Sequence, residues 1–265
     1  MNISLIWITS YIISGLLTGI ISGITGLSGG IISVSVLTLI FELQHYPPEE
    51  GYRISLATAA FLTLMAAPLN AYFHLRQKNF YGPFIKKYLG PIAAGSIFGA
   101  AISHKLPITI LKVIFILICV SALTKVLWKK KSQQETTSDP LDNKIFYILY
   151  GMSGFISSLV SIGGGSIYLP LLTSQRINIA KAVGTSSLLV LMTTIGTAIG
   201  HISISTDQHA FKLINTQLLI YMGIPTFVGT KIGSSIINKI PSKLIKATFS
   251  IVIILSLSKM IHSLL

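Results

Sequence analysis

Apolar runs recur along the whole 265-residue chain, and the charge between them is too sparse to cover a water-soluble surface. Leu106–Leu127 and Leu244–Leu257 are two such runs; each approaches the roughly 20 residues with which a helix spans a bilayer. Only 10% of the residues are charged, against about 25% in an average soluble chain. The chain therefore reads as an all-α, multi-pass membrane protein, a polytopic helical bundle with the lipid bilayer as its first partner.

Twenty bases against seven acids give a net charge of +13. The bases lie in short loops between apolar runs, not on one face of a folded domain. That is the pattern of topogenic loops on the cytoplasmic side, and it argues against nucleic acid as a partner. Cys119 is the sole cysteine and sits in an apolar run, which excludes an intrachain disulfide and a thiolate metal site. No P-loop, metal-ligand spacing or cofactor motif is present. The N-terminal Met-Asn-Ile-Ser-Leu-Ile-Trp lacks a basic n-region and a clear cleavage site, so it reads as mature structure.

An internal repeat organises the chain. A shift of 135 positions brings Gly19, Ser22, Gly29, Gly30 and Leu37 onto Gly154, Ser157, Gly164, Gly165 and Leu172. A shift of 127 brings Thr58, Ala71 and His74 onto Thr185, Ala198 and His201. A shift of 134 brings Pro91, Gly95, Gly99 and Pro107 onto Pro225, Gly229, Gly233 and Pro241. Residues 1–128 then form a first transmembrane repeat, 129–143 a polar cytoplasmic linker containing Pro140, and 144–265 a second repeat.

Each repeat opens with a Gly-broken segment, Ile6–Ile40 or Ile145–Leu172. Spans follow at about Ile54–Phe73, Tyr88–Ser103 and Ile108–Leu127, and at about Ala182–Gly200, Gln217–Ile237 and Leu244–Leu264. If both broken segments are re-entrant, the second repeat is inverted and Lys239, Lys243 and Lys246 fall inside with most of the other bases. If the second one crosses, that bias weakens. The positive-inside rule favours two inverted repeats, the architecture of many secondary transporters.

The breaks read Gly23-Ile-Thr-Gly26-Leu-Ser28-Gly29-Gly30 and Ser158-Leu-Val-Ser161-Ile-Gly163-Gly164-Gly165-Ser166. Gly15, Gly19 and Gly23 have the spacing of close helix packing. Consecutive glycines favour interruption instead, because each costs about 1 kcal/mol against alanine in a helix. Backbone freed inside a bilayer survives only when buried or lining a cavity, and a helix restarting there aims its positive end at that cavity. Ser28, Gly29, Gly30, Gly163, Gly164 and Gly165 are thus candidates to bind a small anionic substrate. Ala57 and Thr58, with Gly184, Thr185 and Ser186, begin the following spans and are candidates to complete the lining. Back-bonding to helix carbonyls is the competing reading for their hydroxyls.

All seven acids fall in loops or at span ends, which suits an anion and argues against many cation mechanisms. His74 and His201 correspond under the repeat, and each closes a span. An interfacial role bonded to backbone is preferred for them; the alternative is coupling or gating, with protons as a second partner. Lys231 lies within a span without a basic counterpart. Snorkelling to the nearer face is preferred over gating or anion binding.

At these residues the sequence resembles the sulfite exporter TauE/SafE family. The resemblance covers nearly the whole chain and rests on the two breaks, Pro170 after the second, and Ala182-Val-Gly184-Thr185-Ser186. It implies a non-enzymatic secondary transporter, an exporter of sulfur oxyanions or organosulfonates in the bacterial cytoplasmic (inner) membrane. The chain departs at the first break, where Ser28 replaces a glycine and Ser35 stands opposite Pro170. The alternative is an intramembrane serine protease using Ser28 and a histidine base. The second repeat has Gly163 at that place and keeps the surrounding glycines, so the glycines, not the serine, are the retained feature.

Overall fold

The computed structural model describes residues 4–25, 29–76, 78, 80–127, 144–175, 177, 179–203, 216–236 and 240–264. The proposed linker and Ser28 lie outside them. The described residues are helical throughout, with short turns and no strand among them. The chain runs α1 (Leu5–Thr25), α2 (Gly30–Leu43), α3 (Pro48–Arg76), α4 (Gly82–Ser103) and α5 (Ile108–Leu127). It continues with α6 (Lys144–Leu159), α7 (Gly165–Ser174), α8 (Ile179–Ser203), α9 (Thr216–Leu218), a π-helical turn (Leu219–Gly223), α10 (Ile224–Ile236) and α11 (Ser242–His262). The spans expected from sequence fall on α3, α4, α5, α8, α9–α10 and α11. Stretches within α1, α3 and α8 are long and apolar enough to cross a membrane unaided. Leu5, Ile6, Phe98, Leu117, Ile148 and Leu255 are exposed on their helices, as a lipid-facing surface requires.

The direction of each helix follows from which residues meet. Gly15, Gly19 and Gly23 lie against the backbone of Met222, Thr226 and Thr230 in ascending order, so α1 and α10 run parallel and close. Gly95 lies against Gly151, and Gly99 against Phe155, so α4 and α6 do likewise. Gly196 and Gly200 meet Ser96 and Ile97, adding α8 to that direction. Gly223 meets Met65 and Ser234 meets Asn70, adding α3 to α1 and α10. The start of α3 lies at the end of α4, where Arg53 donates to the carbonyls of Ser103, His104 and Leu106. One set, α1, α3 and α10, therefore opposes the other, α4, α6 and α8. Helices that correspond under the repeat point opposite ways, as the inverted reading requires. The first helix of each half packs on the fourth segment of the other.

Both broken segments enter and return. Gln44, after α2, donates to the Tyr11 hydroxyl near the start of α1. Gln175, after α7, donates to Tyr150 near the start of α6. The inbound arm of the first is longer than a shallow loop needs: α1 has 21 residues, about 31 Å at 1.5 Å per residue. Pro225 accounts for the π-helical turn before it, since it offers no N–H to the preceding turn.

Candidate functional site

The two breaks are built alike and meet. Gly29 precedes α2 with φ 67°, and Gly164 precedes α7 with φ 83°. Both are left-handed, a conformation that favours glycine. A Cβ on Gly29 would sit 3.4 Å from Ser22 Oγ; one on Gly164 would sit 3.0 Å from Ser157 Oγ. These are equivalent contacts under the 135-residue shift. A Cβ on Gly30 would lie 2.6 Å from the Ser161 carbonyl oxygen and 2.7 Å from that of Ile162. The first helix restart thus rests on the second break, with no room for a side chain.

The surroundings are buried and hydroxyl-rich. Thr18, Ser22, Ser157, Ser158, Ser161 and Ser166 are all buried. Thr18 Oγ1 and Ser166 Oγ have no hydrogen-bond partner among the described residues, although burying a hydroxyl unpaired costs about 1–3 kcal/mol. No described acid approaches them. Glu49 pairs with Arg53 at 2.9 Å, Glu42 pairs with Lys259, and Glu50 is exposed.

The sequence candidates divide. Gly30 lies against the second break at Ser161 and Ile162, which Gly163, Gly164 and Gly165 directly follow in the chain, and Gly29 adjoins Gly30. Ala57 and Thr58 are buried in α3, and Thr58 Oγ1 has no partner among the described residues. Gly184, Thr185 and Ser186 are buried in α8, but the Thr185 hydroxyl accepts the Tyr81 N–H at 3.0 Å. Lys231 is exposed on α10, five residues before the helix ends at Ile236, which suits snorkelling and does not bring it to the breaks. His74 is half-buried. His201 is 3% exposed, with Ser161 Oγ 3.2 Å from Nε2 and His104 Nε2 2.8 Å from Nδ1.

Sequence reasoning missed Asn70 and Thr197, which align at the 127-residue shift, each four residues before its half's histidine. Asn70 donates to Ser22 Oγ at 3.4 Å and accepts from Ser234 at 3.2 Å. Thr197 lies 2.6 Å from Ser158. Both face the breaks. Because they differ in identity, matching identical residues passed over them; four-residue spacing on one helix face was the available signal.

An all-helical, multi-pass fold of inverted repeats with interrupted helices is the architecture of many membrane transporters. The chain belongs to the family described as Sulfite exporter TauE/SafE, which matches residues 11–260. A "Probable membrane transporter protein" of Methanocaldococcus jannaschii is 25% identical over 90% of both chains. One of Haemophilus influenzae is 27% identical over 91% of this chain and 92% of its own. "Probable membrane transporter protein YdhB" of Bacillus subtilis is 26% identical over 87% and 91%. No solved structure matches. The family is one of transporters.

Proposed function

We propose that this transporter carries small anions, in particular sulfur oxyanions or organosulfonates, outward across the cytoplasmic (inner) membrane of a bacterium. The observation that carries the reading is the first helix restart seated on the second break, in a buried setting with no acid beside it among the described residues and with the Thr18 and Ser166 hydroxyls unpartnered among them. Helix N-termini attract negative charge, and hydroxyls can donate to oxyanion oxygens. Repeats at 1–128 and 144–265 about a linker at 129–143 fit the exchanged packing of the two halves. The end carrying Arg76, Lys86 and Lys87 is assigned to the cytoplasm by the positive-inside rule.

The test is flux in proteoliposomes with sulfite, sulfate, sulfoacetate, taurine and short carboxylates. Flux of a sulfur anion is expected. Well-folded protein that moves none of the panel sinks the reading.

A further inference from the structure

We propose that His104 and His201 form a proton-carrying pair between the turn after α4 and the second break, coupling the anion flux to proton movement. The proposal rests on the anion-transport reading above and names its second transported species.

Geometry carries it. His201 is engaged at both ring nitrogens, by His104 at 2.8 Å and by Ser161 at 3.2 Å. An imidazole bonded on both sides can accept a proton at one nitrogen and release one from the other. In the inward step His104 takes a proton from water at Nδ1 as its Nε2–H gives a proton to His201 Nδ1, so the ring stays neutral. His201 then releases its Nε2 proton to Ser161 Oγ, and Ser161 passes its own hydroxyl hydrogen to a water or a basic anion oxygen at the junction. Only N–H and O–H bonds form and break, and no redox partner is needed.

Backbone strain adds an independent observation. Ser161 is left-handed at φ 53°, a region that non-glycine residues rarely occupy. The 135-residue shift places Gly26 at the same position of the first half. The turn therefore suits glycine, yet here it holds a serine whose hydroxyl reaches His201. Such strain is tolerated where surrounding structure holds it, often at working sites.

The polar groups continue past the junction. Gly30 lies on the Ser161 carbonyl, Gly29 beside Ser22, Asn70 donates to Ser22, and Ser234 donates to Asn70. Arg53, at the His104 end, and Asn70 are 17 residues apart on α3, roughly 25 Å along a helix axis.

The charged surroundings suit a relay. From α3 come Arg53, which donates to the His104 carbonyl at 2.9 Å, and its partner Glu49; Glu50 is exposed. Lys105 follows His104 and is exposed. From α5, Lys112 is engaged by the Ser263 carbonyl. α6 and its break bring the hydroxyls Ser158 and Ser161, α8 brings Thr197, and α7 brings Tyr168, whose hydroxyl is held by Thr193. Burial, and then the Arg53 charge, hold His104 below the ordinary imidazole range, leaving it a neutral donor and acceptor at neutral pH.

The test places the full-length protein in lipid vesicles with a pH dye inside, using radiolabelled sulfate, methanesulfonate and sulfoacetate as probes. Wild type is expected to move protons with whichever probe it carries. His104→Gln should keep anion exchange between equal pools and lose proton movement. Ser161→Gly should lose proton movement and melt close to wild type, because relieved strain offsets the lost hydrogen bond. Wild-type flux without protons, or proton movement retained in both variants, overturns the proposal and leaves anion transport standing. If no probe moves, the anion reading fails, and nitrogen NMR of histidine-labelled protein in nanodiscs judges the pair. Exchange of the His201 proton between ring nitrogens is expected between about pH 5 and 8, and its loss in His104→Gln. One fixed tautomer throughout overturns the pair.

Discussion

At the first break the left-handed Gly29 leans on Ser22, and Asn70 reaches that serine from α3. At the second, Gly164 leans on Ser157, but α8 bonds further along, Thr197 to Ser158 and His201 to Ser161. The backbone device is the same and the side chains serving it differ. One break is furnished with a neutral amide, whose hydrogen bonds do not change with pH. The other is furnished with an imidazole, whose two ring nitrogens can exchange donor and acceptor roles. Repetition kept what bends the chain and left free what touches the bend.

Both breaks depend on the contact between them, so its loss should have the largest effect. Gly30→Val is expected to destabilise by about 3 kcal/mol through overpacking against the Ser161 and Ile162 carbonyls. Gly90→Ala, at a site with nothing within 4 Å, should not lower the melting midpoint in detergent. The histidines come next. His201→Ala strips partners from Ser161 and His104 and should cost about 2–3 kcal/mol. His74→Ala should cost under about 1 kcal/mol, since His74 Nδ1 has no hydrogen-bond partner among the described residues. Equal losses in a melting assay would erase the contrast between halves.

The paired threonines sharpen it further. Thr185→Val orphans the Tyr81 N–H and should cost about 1 kcal/mol. Thr58→Val removes a hydroxyl without a described partner and should leave stability unchanged or higher; reduced anion flux in that variant would mark Thr58 as a binding group. Acid sensitivity should follow His104. Between its lowered pKa and the ordinary imidazole value of about 6.5, the unfolded chain holds a proton that the folded chain does not. Stability therefore falls as pH drops through that window, and His104→Gln should flatten the plot of melting midpoint against pH. Ser161→Gly relieves left-handed strain worth up to about 1 kcal/mol but removes the Ser161 contact to His201, worth about as much, so its melting midpoint should stay close to wild type.

Much of this was legible in the sequence, for physical reasons. The Gly29–Gly164 and Ser22–Ser157 equivalences appeared as a shift because backbone geometry demands particular residue types. The packing face of Gly15, Gly19 and Gly23 appeared because close approach admits only small residues. The His104–His201 contact had no local signature, being 97 positions apart in the chain and set by where α4 and α8 end. Thr185 looked like a lining residue because its hydroxyl's acceptor role toward Tyr81 depends on a turn 104 residues away. Lys231 drew notice as a charge in an apolar span, and only three-dimensional packing revealed its exposed side.

The exchanged packing of the halves also bears on how the protein is made. The glycine face of α1 fits α10, and Gly19 and Thr226 lie roughly two hundred residues apart, a contact of very high sequence separation. During synthesis α1 enters the bilayer long before its partner exists. Its notched surface must wait among lipids while the intervening helices arrive, until α10 closes it. The nascent first half is thus a receptor for a later part of its own chain, and a ribosome that stops before α10 leaves that seat empty.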